Sequence, residues 1–477
     1  MNGLAVPLPR ARGSLLLVAA AGLFALCVGL AVGDPASGML LPVGAVLALA
    51  LVGFTLARPF AGFLLLAYSC FLLMVVLPPG STRGVNLFDL VLLPLLVATL
   101  LGQARASARA ADALERGPAH EALRASSDRF GAAAAVYFGL ATVSVLTMPF
   151  RFGVGPGLLS AFTIIRGLQG ALMFPLALWW LRDERRIGAF VRTLFVAGIV
   201  MVALDAVFVL SQRTLRAGMV WTVNDLAEPM GSPNEAAAGL LILWALLHAL
   251  RAVRPQRYHL VLMALVGVML PLTQSRSGVL AFGTYLLLTV RHFRWRWVLA
   301  SVLLLLAALP IIPAPYWERL GRSITFKPGS FELFTLLVRI YGYQTAWRVF
   351  LDHSIFGVGY IGFRFVSAHY NDLRLAFGQV ENFLLETLVG LGLVGVTVLV
   401  VVFHRLYALG RAVRRLTEPG TVGHELARVH APLLTALLVA NLTGDNFVGM
   451  AGIGQLALWT ALLVRSGHLA VTRRAAA

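Results

Sequence analysis

Charged residues are scarce in this chain of 477 residues. Only 13% of the residues are Asp, Glu, Lys or Arg, whereas 59% are hydrophobic, and the mean hydropathy is +0.84. A soluble domain carries about 25% charged residues. The composition therefore excludes an ordinary soluble protein, and repeated apolar runs of roughly 17–20 residues predict an all-α, polytopic membrane protein.

Cysteine and lysine are also nearly absent. Cys27 and Cys70 both lie inside apolar runs, which argues against a disulfide framework. No acidic cluster suited to a metal is evident, so we expect neither a metal nor a cofactor. Lys327 is the only lysine, and the net charge of +18 comes from arginine. Because arginines mark the cytoplasmic loops of membrane proteins, this basicity does not indicate a nucleic-acid partner.

Fourteen apolar segments are candidate membrane spans, although twelve or thirteen spans remain possible because some segments are short or closely spaced. The first is interpreted as a retained span rather than a cleaved signal peptide. The segments are 14–32, 39–56, 60–77, 87–102, 131–148, 164–181, 188–210, 234–250, 259–272, 278–290, 296–313, 382–403, 430–445 and 447–465.

The arginine distribution predicts the orientation, with both termini in the cytoplasm. The chain then divides into an N-terminal membrane part, residues 1–313, and a C-terminal membrane part, residues 381–477. A cytoplasmic loop, residues 103–130, lies within the first part. A large periplasmic loop, residues 314–380, separates the two parts and is too aromatic for a disordered linker. We expect it to fold as a helical cap on the outer face.

Several arginines lie where the outer membrane surface is expected. Arg276 occupies a very short turn between two apolar runs, and Arg166 lies near the outer start of the sixth span. Arg339 and Arg348 belong to the large loop. Guanidinium groups bind phosphate oxygens in bidentate fashion, so an anion site is one interpretation. Snorkelling at the rim, or a solvated charged loop, is the other.

Other polar residues begin helices on the same side. Asn234 follows Pro233 at the start of the eighth span, and Glu381 and Asn382 begin the twelfth. Helix capping explains part of this pattern. His369 is one of two histidines in the outer loop, where it either is solvated or titrates usefully. Asp89 is expected to pair helices rather than act chemically.

Four segments together resemble the O-antigen ligase/polymerase superfamily of membrane glycosyltransferases. The resemblance covers about residues 220–400. It rests on a helix start with Pro and Asn, a Thr-x-Ser-Arg turn, an Arg…Trp…Gly-x-Gly pattern in the outer loop, and a glycine-rich helix that opens with an acid and Asn. These segments are residues 231–237, residues 272–278, Arg339 with Trp347 and residues 357–359, and residues 381–395.

The resemblance implies a GT-C type, metal-independent glycosyltransferase of the bacterial inner membrane whose active site faces the periplasm. Donor and acceptor would be polyprenyl-diphosphate-linked oligosaccharides, with a flippase and chain-length regulators as further partners. It implies that Arg276 and Arg339 hold the diphosphate while Glu381 orients or deprotonates the acceptor hydroxyl. The remaining candidates for substrate binding are Asn382, Arg166, Arg348, Asn234 and His369.

Glu381 stands where the ligases of this superfamily have a histidine. Acidic variants at this place favour the repeat-unit polymerases of O-antigen or exopolysaccharide, so polymerisation is the first interpretation. The second is the ligase, which transfers lipid-linked glycan to the core of lipid A and so completes lipopolysaccharide. A transporter of lipid-linked sugars is a third, although no convincing repeat relates the two halves of the chain.

Overall fold

The helical architecture comes from a computed structural model of the chain. It describes residues 40–71, 76–77, 85–107, 118–210, 233–273, 275–290, 331–442, 444, 447 and 450–476. The helices are α1 (Leu40–Ala57), α2 (Pro59–Phe71), α3 (Leu87–Ser107), α4 (Pro118–Phe152), α5 (Val154–Trp180), α6 (Glu184–Leu210), α7 (Pro233–Val253), α8 (Arg257–Leu272), α9 (Arg276–Thr289), α10 (Phe331–Asp352), α11 (Phe363–Val366), α12 (Phe383–Leu416), α13 (Val422–Asn441) and α14 (Met450–Ala476). Two short strands, β1 (Val76–Leu77) and β2 (Val85–Asn86), pair antiparallel between α2 and α3.

Within the described residues, five helices are long and apolar enough to cross a membrane. These segments are Pro118–Phe152, Val154–Trp180, Glu184–Ala203, Asn234–Val253 and Phe383–Leu416, and three shorter apolar helices are Pro59–Cys70, Phe88–Gln103 and Arg257–Leu272. The prediction of an all-α polytopic membrane protein is thereby confirmed. Predicted spans 14–32 and 296–313 lie outside the described residues, so the number of spans stays a prediction.

Helix α7 lies at the centre of the bundle. In its apolar stretch 78% of the residues are buried, against 28–44% in the other four long spans. Helix α13 packs against α7 and α9, α14 packs along α5, and α4 lies between α5 and α12. Side chains of α7 such as Leu240 and Leu247 are completely buried, which explains why this helix is apolar on every face.

The predicted cytoplasmic loop, residues 103–130, is shorter in the structure because α4 already begins at Pro118. Residues 108–117 of that loop lie outside the described part. The first turns of α4 are polar, but they contain good helix formers and bury Leu123 and Phe130. Hydropathy predicted only the apolar part of this helix, residues 131–148, as a span.

Helix α12 is broken at Gly392, whose φ of 66° and ψ of −163° are essentially restricted to glycine. The break frees backbone groups that must be satisfied inside a membrane. Residues 354–359 of the preceding loop satisfy them. Four hydrogen bonds do so: Leu393 N to Ser354 O (2.8 Å), Val394 N to Ile355 O (3.2 Å), Val358 N to Val389 O (2.9 Å) and Gly359 N to Gly390 O (2.8 Å).

The described part of the predicted periplasmic loop, residues 331–380, therefore does more than form the expected cap. It contains α10 and α11, but its residues 354–359 also lie alongside residues 389–394 of α12. Glycines in a membrane helix commonly permit close approach of another helix. In the structure Gly390 and Gly392 instead contact this loop, because a Cβ on either would meet backbone atoms of Gly359 or Ile355.

Candidate functional site

The start of α12 is fixed by its capping residue. The Oδ1 atom of Asn382 accepts a hydrogen bond from Leu385 N (3.0 Å), as an N-cap side chain does. The Nδ2 atom of the same side chain donates to Leu442 O (2.8 Å), just beyond α13. One amide thus ties the beginning of α12 to the end of α13 and holds the preceding residue in place.

That preceding residue is Glu381, which adopts a left-handed backbone conformation with φ of 51°. Its carboxylate forms an ion pair with Arg339 of α10, and the two side chains are 42% and 35% exposed. One turn further along α10, the hydroxyl of Tyr343 donates to Glu381 O (3.5 Å). Burial raises the pKa of Tyr343, with opposing effects from Arg339 and Glu381. The phenol therefore stays protonated as a donor.

A second polar group lies at the start of α9. Ser275 caps this helix by accepting from Gly278 N (2.9 Å), and its hydroxyl donates to Asn234 Oδ1 at the start of α7 (2.6 Å). Ser277 donates to the same oxygen (3.1 Å). Both serines are buried, whereas Arg276 between them is exposed. The turn therefore anchors its serines inward on Asn234 and presents its arginine outward.

Residue Gly444 joins these two polar groups. Its carbonyl accepts a hydrogen bond from Phe383 N (3.1 Å) at the start of α12. A Cβ at Gly444 would lie 3.4 Å from Asn234 Nδ2 and 3.6 Å from Ser277 Oγ. The beginnings of α7, α9 and α12 therefore converge on the segment after α13, and they bring together residues that are far apart in sequence.

The structure thus connects Glu381, Arg339, Asn382 and Asn234, and it places Arg276 at the edge of the same group. Sequence reasoning missed Tyr343, Gly444 and the role of Glu386. The buried Glu386 accepts from Val380 N (3.0 Å) and thereby fixes the backbone that leads into Glu381. The contacts of Tyr343 and Gly444 carry no sequence signal because they join distant segments whose pairing depends on the fold.

Arg166 lies in a different environment. It binds Asp89 of α3 (2.6 Å) and Gln169 (3.0 Å), and its guanidinium lies over Phe162 (4.8 Å). Asp89 also accepts from Gln169 (2.8 Å). The pair joins α3 to α5, as expected for Asp89. These contacts give Arg166 a structural role, so we do not carry its predicted substrate binding into the proposal below.

Arg348 and His369 belong to residues 331–380, which precede α12. Arg348 follows Arg339 by nine residues, about 13 Å along α10. It donates to Tyr370 O (3.3 Å) and contacts Asp372 (3.7 Å). His369 is exposed in the single turn of 3-10 helix, Ser367–His369, that follows α11. The structure therefore separates Arg348 from the ion pair at Glu381, although sequence reasoning had grouped it with the arginines that grip a diphosphate.

A large apolar cavity of about 920 Å³ lies between α4, α5, α12 and α14. Its lining includes Phe383 and Phe403 of α12 and also Phe447. The ring centroids of Phe383 and Phe403 lie 5.6 and 6.0 Å from that of Phe447, so the break at Gly392 brings the two parts of α12 together. Because Phe383 directly follows Asn382, the cavity reaches the beginning of α12. Sequence reasoning missed the cavity because four helices form it. Within the described residues, no group of three or more His, Cys, Asp or Glu could hold a metal ion.

Comparison with known families gives one match. A family model described as O-antigen ligase matches residues 259–400, a range that contains Arg276, Arg339, Glu381 and Asn382 but not Asn234. No curated protein matches the chain. The family match confirms the resemblance and covers three of the four motifs on which it rested, while residues 231–237 lie outside the matched range.

Proposed function

We propose that this chain, whose residues 259–400 match a family model described as O-antigen ligase, polymerises oligosaccharide repeat units carried on a polyprenyl diphosphate. The reaction would take place at the periplasmic face of the inner membrane. The observation that carries the proposal is the Arg339–Glu381 ion pair at the start of α12. It puts a cation and a carboxylate side by side, two residues before Phe383, which lines the apolar cavity.

The cavity supports a lipid-linked donor. An apolar chain between α4, α5, α12 and α14 would bring its headgroup towards Asn382, because Phe383 lines the cavity. Arg339 pairs with Glu381 just before Asn382, and Arg276 lies at the edge of the same polar group. Guanidinium groups present paired donors that match phosphate oxygens. We therefore assign the diphosphate to Arg276 and Arg339.

The chemistry is a substitution at the anomeric carbon of the donor. The acceptor hydroxyl oxygen forms the new glycosidic bond, and the bond from the anomeric carbon to the diphosphate oxygen breaks with inversion. The diphosphate leaves with the bonding electrons, so negative charge grows where the arginines lie. Positive groups that are already in position stabilise such charge most effectively. We assign this role to the guanidinium groups and not to a metal ion.

The ion pair suggests how the acceptor is activated. When the diphosphate arrives, Arg339 can exchange part of its contact with Glu381 for contact with phosphate. The carboxylate is then released to accept the proton of the acceptor hydroxyl. Asn382 and Asn234 hold the surrounding backbone and hydroxyls in place through their hydrogen bonds. His369 lies in the short 3-10 turn that follows α11. We assign it a contact with the incoming glycan.

The same arrangement also suits a ligase, since both reactions use a lipid-linked glycan and a hydroxyl acceptor. We favour polymerisation because Glu381 replaces the histidine of the ligases. The two activities differ in the product that accumulates when they are lost. Loss of a polymerase leaves single repeats on the final acceptor, whereas loss of a ligase leaves lipid-linked polymer unattached. A flippase and chain-length regulators would act before and beside this step.

The test compares Arg276→Ala and Glu381→Gln with a matched control. Arg474 and Glu418 form another exposed ion pair (3.5 Å), beyond the opposite end of α12, so Glu418→Gln removes a similar charge away from the site. We expect both site variants to lose polymer at normal membrane abundance, while the control keeps it. Full-length polymer from both site variants would refute the assignment. Unattached polymer in a deletion strain would establish the ligase instead.

A further inference from the structure

Helix α10 carries an open pocket beyond the ion pair. Its volume is about 510 Å³, and it is lined by Tyr343, Gln344, Trp347 and Arg348. These residues follow Arg339 by four to nine positions, which places the pocket about 6–13 Å further along the helix. The pocket therefore begins next to the proposed reaction centre and extends away from it.

The indole of Trp347 forms one wall of the pocket. It is 51% exposed, so about half of its surface is open to a ligand. Its ring centroid lies 5.2 Å from that of Phe350. Phe350 is buried in a small hydrophobic cluster formed by side chains from residues 346–389. Phe350 thus supports the indole on one side, and the exposed part of the ring faces outward.

The other walls are polar and fixed in different ways. Tyr343 lies one turn from Trp347 on the same line of the helix and bonds to Glu381 O. Arg348 is held by Tyr370 O and by the carboxylate of Asp372. Its guanidinium group carries N–H donors that can also bind the hydroxyls of a neutral ligand. Gln344 is exposed and adds an amide with both donors and an acceptor.

We propose that this pocket is a subsite for sugar rings of the lipid-linked glycan, beyond the unit that reacts. The inference rests on the proposed function, since it needs a glycan at Glu381. An aromatic face packs against the C–H face of a pyranose, whereas planar amide and guanidinium groups bind neighbouring hydroxyls. A few polar groups around aromatic walls are typical of pockets for small molecules. The subsite would hold the chain while the next unit is added.

Lipid contact is the competing explanation for the exposed indole. Helix α10 also exposes Leu337, Ile340 and Leu351, which would suit an outer leaflet. Gln344 and Arg348 interrupt this apolar surface at the pocket itself, and this favours a sugar ligand there. Leu351 lies one turn beyond Trp347 and outside the pocket, so it serves as the matched control.

The test measures direct binding to the full-length protein in lipid nanodiscs. The probe is the oligosaccharide that mild acid releases from the host's own lipid-linked repeat units, without lipid or diphosphate. We expect Trp347→Ala to weaken binding about tenfold, Trp347→Phe to weaken it less, and Leu351→Ala to leave it unchanged. Equal affinity for all three variants would overturn the subsite. Fluorescence of Trp347 quenched by brominated lipids, with affinity unchanged in Trp347→Ala, would establish lipid contact instead.

A second measurement separates this inference from the proposed function. Glu381→Gln should still bind the probe, because the pocket does not need the catalytic carboxylate. Binding through Trp347 without any polymer formation by the wild type would preserve the subsite and overturn the polymerase. Conversely, polymer formation with the same KM in Trp347→Ala and wild type would preserve the polymerase and overturn the subsite.

Discussion

Two of the arginine–carboxylate pairs among the described residues, Arg166–Asp89 and Arg339–Glu381, share a chemistry but not an environment. Arg166 and Asp89 are 16% and 20% exposed, and Gln169 and Phe162 surround them between two helices. Arg339 and Glu381 are about twice as exposed, and they lie at a helix start beside two pockets. From the sequence, Arg339 was assigned to the diphosphate and Arg166 was a further candidate for substrate binding. Their surroundings separate a pair that joins helices from a pair that can open to a ligand.

We expect the largest difference in activity and stability between the variants Arg339→Ala and Arg166→Ala. Arg339→Ala should lower polymer formation by purified protein about 100- to 1,000-fold, the usual loss when one stabilising group at a developing charge is removed. Its stability should change little, because Glu381 can be solvated. Arg166→Ala should lower stability by about 3 kcal/mol, because the partly buried Asp89 loses its cation.

Polymer formation per folded molecule and the melting temperature in detergent measure the two effects separately. The contrast fails if Arg166→Ala folds normally but makes no polymer. In that case Arg166 would belong with the substrate, as the sequence first suggested. It also fails if Arg339→Ala unfolds the protein, since the open pair would then be structural as well.

The fold class and much of the site could be predicted because they depend on local signals. Apolar runs set the helices, and the polar helix starts at Asn234 and Asn382 mark where they begin. Arg339 and Glu381 were identified from motifs that occur in the same order as in a known family. Contacts between segments could not be predicted in this way. The ion pair of Arg166 and the junction at Gly444 follow from helix packing, which hydropathy does not encode.

A second comparison concerns two glycines with positive φ. Gly392 has φ of 66° and lies against Ile355, whereas Gly420 has φ of 83° and open space around it. Gly420→Ala should therefore lower stability by about 1 kcal/mol from backbone strain alone. Gly392→Ala should lower it by about 3 kcal/mol, because overpacking against the loop adds to the strain. Melting temperatures of the two variants measure the difference. Equal losses of stability in the two variants would mean that close packing of the loop at Gly392 adds no further cost.

The smallest effects should distinguish the caps of α12 and α13. Thr421 caps α13 by accepting from His424 N (3.3 Å), and Thr421→Ala should lower stability by about 1 kcal/mol without changing polymer formation. Asn382→Ala should lower stability by a similar amount but also reduce turnover, because Glu381 loses its fixed neighbour.

The variant Asn382→Asp separates the two roles of Asn382, which are capping α12 and tying it to the end of α13. Its carboxylate still caps the helix, but it cannot donate to Leu442 O as the amide does. If the tie to α13 positions the site, Asn382→Asp should keep the melting temperature and lose turnover. Polymer formation equal to wild type in Asn382→Asp would mean that capping is the whole contribution of this residue. The starts of α12 and α13 would then differ only in what surrounds them.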